Sequence, residues 1–268
     1  MNPTVIQLRS RRTDNTFYLV HDGRAACLID PIDPQVGLDA AEALGLRLDA
    51  VLNTHWHPDH VGGNAAIFAA VPDARHFIPA AEADLIDTSH TTRVSLLRPR
   101  DVVSVGESIL RVIETPGHTV GHLSLISEDA LLCGDTLFSA GVGHCKLGGD
   151  AAQLARTITT TIAALPDHLR VFCGHDYARR NIAFALSLLP DDPALLAHAA
   201  RLSAHGDTPL ITTLGEERRL NLFMRCGEPA VQAAALTRAG EVVAAMRGRG
   251  LSDAEATLCA LRALRDVW

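Results

Sequence analysis

The stretch Thr54-His55-Trp56-His57-Pro58-Asp59-His60-Val61-Gly62-Gly63 decides the reading of this chain. Three imidazoles and a carboxylate fall between positions 55 and 60, in the order His-x-His-x-Asp-His. Histidine and aspartate are costly to bury unless something pairs with them, and here they crowd one short loop. A divalent cation resolves the crowding, because neutral imidazole and carboxylate are ordinary ligands of zinc or iron. A solvated histidine-rich loop is the bland alternative. It accounts well for one histidine and poorly for four metal-capable groups at this spacing.

Working outward, the loop follows the short apolar run Ala50–Asn53, which reads as a buried strand. Three later segments have the same form. Thr115-Pro116-Gly117-His118-Thr119 follows the strand pattern Ser108–Glu114, Gly134-Asp135-Thr136 follows Leu131–Cys133, and Gly174-His175-Asp176 follows Val171–Cys173. Each candidate ligand therefore stands just past the C-terminal end of a strand, where a rigid sheet can position it. Singly, His118, Asp135 or His175 reads as a turn residue; the joint pattern is what points to metal.

The remaining organisation is mixed at first and helical later. Thr16–Val20 and Ala25–Ile29 read as strands around the turn His21-Asp22-Gly23. Val36–Leu46 and Gly62–Val71 read as helices, Leu123–Ser127 and Ala130–Cys133 as strands, and Asp150–Leu165 as a helix with Asp150 as its N-cap. From residue 176 the pattern is helical: Arg179–Leu189, Pro193–Ala204, Glu228–Arg247 with Gly240 able to break it, and Ser252–Val267. The last of these opens on the capping box Ser252-Asp-Ala-Glu255, and Leu258, Leu261 and Leu264 recur at helical spacing. The expected fold class is an α/β domain over residues 1–175 followed by a smaller all-α domain over 176–268.

Bulk composition narrows the function. A chain of 268 residues with 47% hydrophobic and 21% charged residues is that of an ordinary soluble globular protein. A net charge of −7 gives no basic footprint for nucleic acid. Residues 176–268 carry 11 arginines and 11 acidic residues, so the whole net charge falls on the half with the metal-capable loop. That suits a cation site, and equally an acidic surface kept for solubility. The six cysteines form no C-x-x-C pair and read as thiols of a reducing compartment. No signal-peptide core and no apolar stretch of membrane-spanning length is present. The expectation is a cytoplasmic protein without membrane or nucleic-acid partners, a monomer or small homo-oligomer.

The segments T-H-W-H-P-D-H-V-G-G, T-P-G-H-T-V-G-H-L-S, G-D-T-L-F-S-A-G and C-G-H-D-Y together resemble the metallo-β-lactamase superfamily. The resemblance implies a four-layer αββα sandwich with a binuclear site at one edge. It assigns His55, His57 and His118 to the first metal, Asp59, His60 and His175 to the second, and Asp135 to a bridge between them. Zinc is the expected metal, with iron or manganese as alternatives. The later segments Pro209-Leu-Ile-Thr-Thr-Leu-Gly-Glu-Glu and Asn221-Leu-Phe-Met-Arg225 resemble the glyoxalase II (hydroxyacylglutathione hydrolase) family. That resemblance covers essentially the whole chain. It implies hydrolysis of S-D-lactoylglutathione to D-lactate and glutathione, a step in methylglyoxal detoxification.

By the same resemblance Tyr177, Arg262 and Arg265 are candidate glutathione-binding residues, the two arginines three apart on one helical face. The G-x-G loop departs from the family. It reads Gly141-Val-Gly143-His144-Cys145-Lys146-Leu147-Gly148, with His144 at the usual basic position and Lys146 at the usual aromatic one. Lys146 is the only lysine among 24 basic residues, and it is a candidate contact for a substrate carboxylate. Asp59 is expected to ligate metal and orient the nucleophile, and Asp30 to fix the tautomer of a ligand histidine; Asp30 serves equally well as a plain turn residue in Asp30-Pro31. His122 is expected to be structural. The alternatives are another thioester or a lactone on the same site, a phosphodiesterase, a mono-iron persulfide dioxygenase, and a non-catalytic metal-stabilised binding module. A secreted β-lactamase fits poorly, because His60 stands where that group commonly departs from the motif.

Overall fold

The computed structural model describes residues 2–206 and 208–268. The chain divides into two compact units that interleave along the sequence. The first holds residues 2–115, 119–134 and 172–176; the second holds 116–118, 135–171 and most of the chain from 177 onward.

The first unit is built on two sheets. One runs β1 (Thr4–Arg9), β2 (Thr16–His21), β3 (Ala25–Ile29), β4 (Arg47–Leu52), β5 (Arg75–Pro79) and β6 (Val94–Leu97) in sequence order. β1 to β3 pair antiparallel and β3 to β6 parallel. β2 and β3 are apolar at nearly every position because both faces are covered. One face packs Phe17, Leu19 and Leu28 against Ala41 of α1 (Pro34–Ala43) and against Ile67 and Phe68 of α3 (Asn64–Ala70). On the other face Tyr18 meets Phe172 edge to face at 5.4 Å, so this sheet packs on the second one. The second sheet is antiparallel through β7 (Val102–Val105), β8 (Ser108–Glu114), β9 (Leu123–Ile126) and β10 (Ala130–Gly134). The strand Arg170–Cys173 lies beside β10. Among the described residues no helix is long and apolar enough to cross a membrane.

Where expectation and structure differ, local chemistry explains it. The predicted helix over 62–71 forms as the slightly shorter α3, and a separate turn, α2 (Pro58–Val61), with Pro58 at its start, precedes it. The helix predicted over 150–165 is regular only in α4 (Ala151–Arg156), with Asp150 accepting from the Gln153 N–H as its cap. Thr157–Ile162 then opens into a π-helical turn. All six of those residues are β-branched, which crowds an α-helix. Their hydroxyls also compete for main-chain acceptors: Thr157 donates to Pro116 O, Thr159 to Ala155 O and Thr160 to Arg156 O, at 2.6–2.8 Å.

The second unit continues with α5 (Ala178–Leu188), α6 (Pro193–His205), α7 (Leu214–Leu220), α8 (Pro229–Gly248) and α9 (Asp253–Val267). α8 and α9 pack as a helical hairpin. The expected break in α8 falls at Ala239, one residue before Gly240. The Ser252/Glu255 capping box opens α9. α7 was not expected, although Thr213-Leu-Gly-Glu216 forms a capping box of its own.

Candidate metal centre and substrate loop

The histidine loop emerges where parallel strands end. β3 ends at Ile29 and Asp30 follows; β4 ends at Leu52 and Asn53–His60 follows. Parallel pairing puts both exits on one edge of the sheet. Asp30 is 4% exposed and holds a left-handed backbone (φ 53°). Its Oδ1 accepts the Thr54 N–H at 2.7 Å; its Oδ2 accepts the Thr54 hydroxyl at 2.6 Å and faces His60 Nδ1 at 3.0 Å.

These bonds assign tautomers. A carboxylate only accepts, so His60 carries its proton on Nδ1 and leaves the Nε2 lone pair for a ligand. Thr54 gives its single proton to Asp30, so His55 Nδ1, 3.0 Å from the Thr54 oxygen, must be the donor there. His55 Nε2 then carries a lone pair, 3.1 Å from His57 Nδ1. On the exit of the strand Arg170–Cys173, His175 turns Nδ1 to Asp14 at 3.1 Å and Nε2 to Asp59 Oδ2 at 3.2 Å. Asp59 Oδ2 is also 3.9 Å from His60 Nε2, and Asn15 donates to the Asp59 side chain and carbonyl at 3.1 Å each. His55, His60 and His175 are buried. The donor atoms of Asp59, His60 and His175 all lie within 4.8 Å of one another. An imidazole pair with a carboxylate, gathered this closely, is a donor set that fits a divalent ion of the zinc, iron or manganese type.

In the second unit His118 repeats the device. Its Nδ1 donates to the His144 carbonyl at 2.6 Å, and its Nε2 faces Asp135 Oδ2 at 3.5 Å. The pair fits closely against the G-x-G loop. A Cβ at Gly143 would fall 2.0 Å from Asp135 O and 2.7 Å from His118 Nδ1, so this position admits only glycine.

Residues outside every motif hold the histidine loop in place. Glu82, 1% exposed, accepts the Trp56 N–H at 2.9 Å and the Gly121 N–H at 2.8 Å. Asn53 donates to His60 O at 2.9 Å, and its own oxygen meets His76 Nε2 at 2.8 Å. Burial, reinforced by the neighbouring His90 ring, pulls His76 down to about 4, so it serves as a neutral donor. Asp14 and Asn15 supply the contacts to His175 and Asp59 already described. None of these has a spacing signature; a polar pair such as Asp14-Asn15 directly before a buried strand was the only trace in the sequence. His122 is fully buried, bonded to Thr115 at 3.0 Å and stacked on His55 at 4.9 Å, which is a packing role.

The candidate substrate residues lie in the second unit. His144 is exposed beside the His118 ring, and Tyr177 sets its ring edge to face against Phe138 at 5.3 Å. The Lys146 side chain is 59% exposed, its ammonium 3.2 Å from Asp266 O and 3.8 Å from Asp266 Oδ1. Arg262 and Arg265 do share one side of α9, but that side is inside: they are 7% and 9% exposed. Arg262 donates to Val142 O at 2.7 Å and pairs with Asp266 at 3.0 Å. Its Nε finds no acceptor among the described residues. Arg265 donates to Asn181 Oδ1 and lies over the Phe184 and Trp268 rings.

Comparison with known proteins agrees with this geometry. Residues 11–175 match the model of the metallo-beta-lactamase superfamily, and residues 176–268 match that of the hydroxyacylglutathione hydrolase C-terminus. A hydroxyacylglutathione hydrolase of Anaeromyxobacter dehalogenans is 41% identical, covering 94% of this chain and 95% of the relative. One of Cupriavidus taiwanensis is 37% identical over the same shares. Among solved structures, ETHE1 from Myxococcus xanthus superposes with a TM-score of 0.64 at 26% identity, over 98% of this chain and 99% of that one. The BLEG-1 B3 metallo-beta-lactamase, at 23% identity and a TM-score of 0.63 over 82% and 99%, shares the fold. Two family models that together span residues 11–268, and relatives alike over nearly their whole length, place the chain: it belongs to the hydroxyacylglutathione hydrolase family of the metallo-beta-lactamase superfamily.

Proposed function

We propose that this protein is a metal-dependent hydrolase of glutathione thioesters, with S-D-lactoylglutathione as substrate and D-lactate and glutathione as products. The observation that carries the reading is the pairing of the Asp59/His60/His175 donor set, its two histidines buried, with a C-terminal region of hydroxyacylglutathione hydrolase type. In this reading residues 1–175 form the catalytic domain and 176–268 the substrate-binding one. His55, His57 and His118 hold one ion, Asp59, His60 and His175 a second, and Asp135 bridges them. Zinc is the first choice, iron or manganese the next. A reducing cytoplasm, where glutathione is abundant, suits six free thiols.

Two divalent ions in these donors would supply a water activated at neutral pH and an electrophile for the thioester carbonyl. The chain's own residues do the rest. Asp59 and Asp135 would accept a hydrogen bond from the reacting water and orient its attack on the acyl carbon. As the new C–O bond forms, the C–S bond breaks and the electron pair leaves on sulfur. A thiol of pKa about 8.5 departs readily as thiolate, so no strong general acid is needed. Asp30, Asp14 and the His144 carbonyl hold His60, His175 and His118 with Nε2 unprotonated throughout. Tyr177, His144, Lys146, Arg262 and Arg265 bind the glutathionyl part.

The reading is tested by steady-state hydrolysis of S-D-lactoylglutathione by the metal-loaded protein, followed by loss of thioester absorbance. Saturable turnover is expected, with kcat/KM above ~10^4 per molar per second. Negligible turnover with two ions bound would overturn the substrate and direct attention to other thioesters and lactones. Lys146→Ala is expected to raise KM about fivefold and to leave kcat within twofold, because an exposed ammonium contributes about 1 kcal/mol to binding. Unchanged constants in that variant would remove Lys146 from the substrate site.

A further inference from the structure

The hairpin Leu137–Phe138/Gly141–Val142 has two residues in each strand, too few to hold a fixed shape alone. Its turn carries Ala140 at φ 57°, a conformation that a residue with a Cβ rarely adopts. Buried side chains of the helical unit meet the hairpin's main chain from several directions. Asn181 donates to Ser139 O at 3.0 Å, and Asn221 donates to Gly141 O at 3.0 Å and Phe138 O at 3.3 Å. Glu217 Oε2 accepts the Ala140 N–H at 2.8 Å and the Asn221 amide at 3.1 Å, while Oε1 accepts from Thr212 at 2.6 Å. Glu217 is 0% exposed. Burial pushes it up to about 7 against the pull of these donors. A carboxylate in such a place is costly, which asks what it does that an apolar residue would not.

The hairpin leaves from Asp135 and returns at Gly143-His144, and both ends bear on His118. The His144 carbonyl fixes the His118 tautomer, and Gly143 sits against both Asp135 O and His118 Nδ1. A hairpin that rotated or frayed would therefore shift His118 against Asp135. We propose that Glu217 is a positioning residue: by holding the Ala140 N–H it fixes the hairpin, and through the hairpin the placement of His118 and Asp135 as metal ligands. The inference rests on the assignment of those two residues given above. Packing alone would be served as well by an apolar side chain; the Ala140 bond would not.

The test uses the full chain loaded with cobalt(II) and compares Glu217→Leu, which keeps volume and removes the acceptor, with Glu217→Gln, which keeps an oxygen for Ala140. Cobalt affinity by chelator competition and the visible cobalt spectrum are read well below each variant's own Tm. Glu217→Leu is expected to bind cobalt about tenfold or more weakly, with shifted bands, whereas Glu217→Gln recovers to within about threefold of the parent. A Glu217→Leu protein that loses only Tm, and keeps the parent's cobalt affinity, spectrum and kcat/KM, overturns the proposal. Should it fail to fold, Glu217→Asp, which retracts the carboxylate by one methylene, decides on the same readings: parent-like affinity there refutes the positioning role. If the parent itself does not turn over glutathione thioesters, the substrate reading fails and the cobalt readings still decide the role of Glu217.

Discussion

Asp135→Ala is expected to strip the protein of most of its metal and to lower kcat/KM for a glutathione thioester by roughly 10^3-fold or more. Asp135 is 5% exposed and follows β10 through Gly134 at φ 45°, so its carboxylate is fixed by a sheet end and cannot be replaced by a neighbour swinging in. Its Oδ2 stands 3.5 Å from His118 Nε2, too far for a good hydrogen bond and suited to two groups that share a cation. Removing the only anion in that pair leaves one imidazole, which holds a divalent ion weakly. In the proposed binuclear arrangement both ions lose a ligand at once, so the loss exceeds that of any single histidine. Metal analysis after dialysis and steady-state kinetics on the same sample check it. Two equivalents of metal with parent-like turnover would refute the bridging assignment.

Much of this was legible because the chemistry is local. The histidine loop and the segments around His118, Asp135 and His175 each place a ligand two to four residues past an apolar run, and β8, β9 and β10 form where those runs predict them. β5 and β6 escaped notice because short apolar runs flanked by proline or charge resemble loop, and only pairing, β5 with β4 and β6 with β5, makes them strands. Glu82 and the Asn53–His76 pair were invisible for a different reason: a buried polar residue is recognised by its partners, and those lie 23 to 39 positions away. Arg262 and Arg265 show the limit of periodicity. Their spacing puts them on one face of α9, but whether that face meets solvent or Asn181, Phe184 and Trp268 is a property of the packed unit.

The second large effect is expected at Asp30, and the informative substitution is the mildest one. Asp30→Asn preserves size and tolerates the left-handed backbone. The Thr54 N–H needs an acceptor, so the asparagine oxygen takes the place of Oδ1, 2.7 Å from that nitrogen. Its amide then stands where Oδ2 was, 2.6 Å from the Thr54 hydroxyl and 3.0 Å from His60 Nδ1. Facing a donor, His60 must present a lone pair at Nδ1 and carry its proton on Nε2, the nitrogen that ligates. Thr54 now accepts from the amide and gives its proton to His55 Nδ1, 3.0 Å away, which moves the His55 proton to Nε2 as well. One isosteric change thus inverts two ligand tautomers while leaving every contact distance in place. The expected result is a protein with a Tm close to the parent's and metal affinity reduced about 100-fold or more, beyond the 10-fold end of the usual range for a residue that orients a ligand, because both histidines are turned. Asp30→Ala should differ in kind. It leaves the buried Thr54 N–H without an acceptor, at about 1–3 kcal/mol, so it loses stability along with metal. Thermal melts and metal titrations on the two variants separate these effects, and an Asp30→Asn protein that binds metal as tightly as the parent would show that Asp30 shapes a turn and does not set the protons of the ligand histidines.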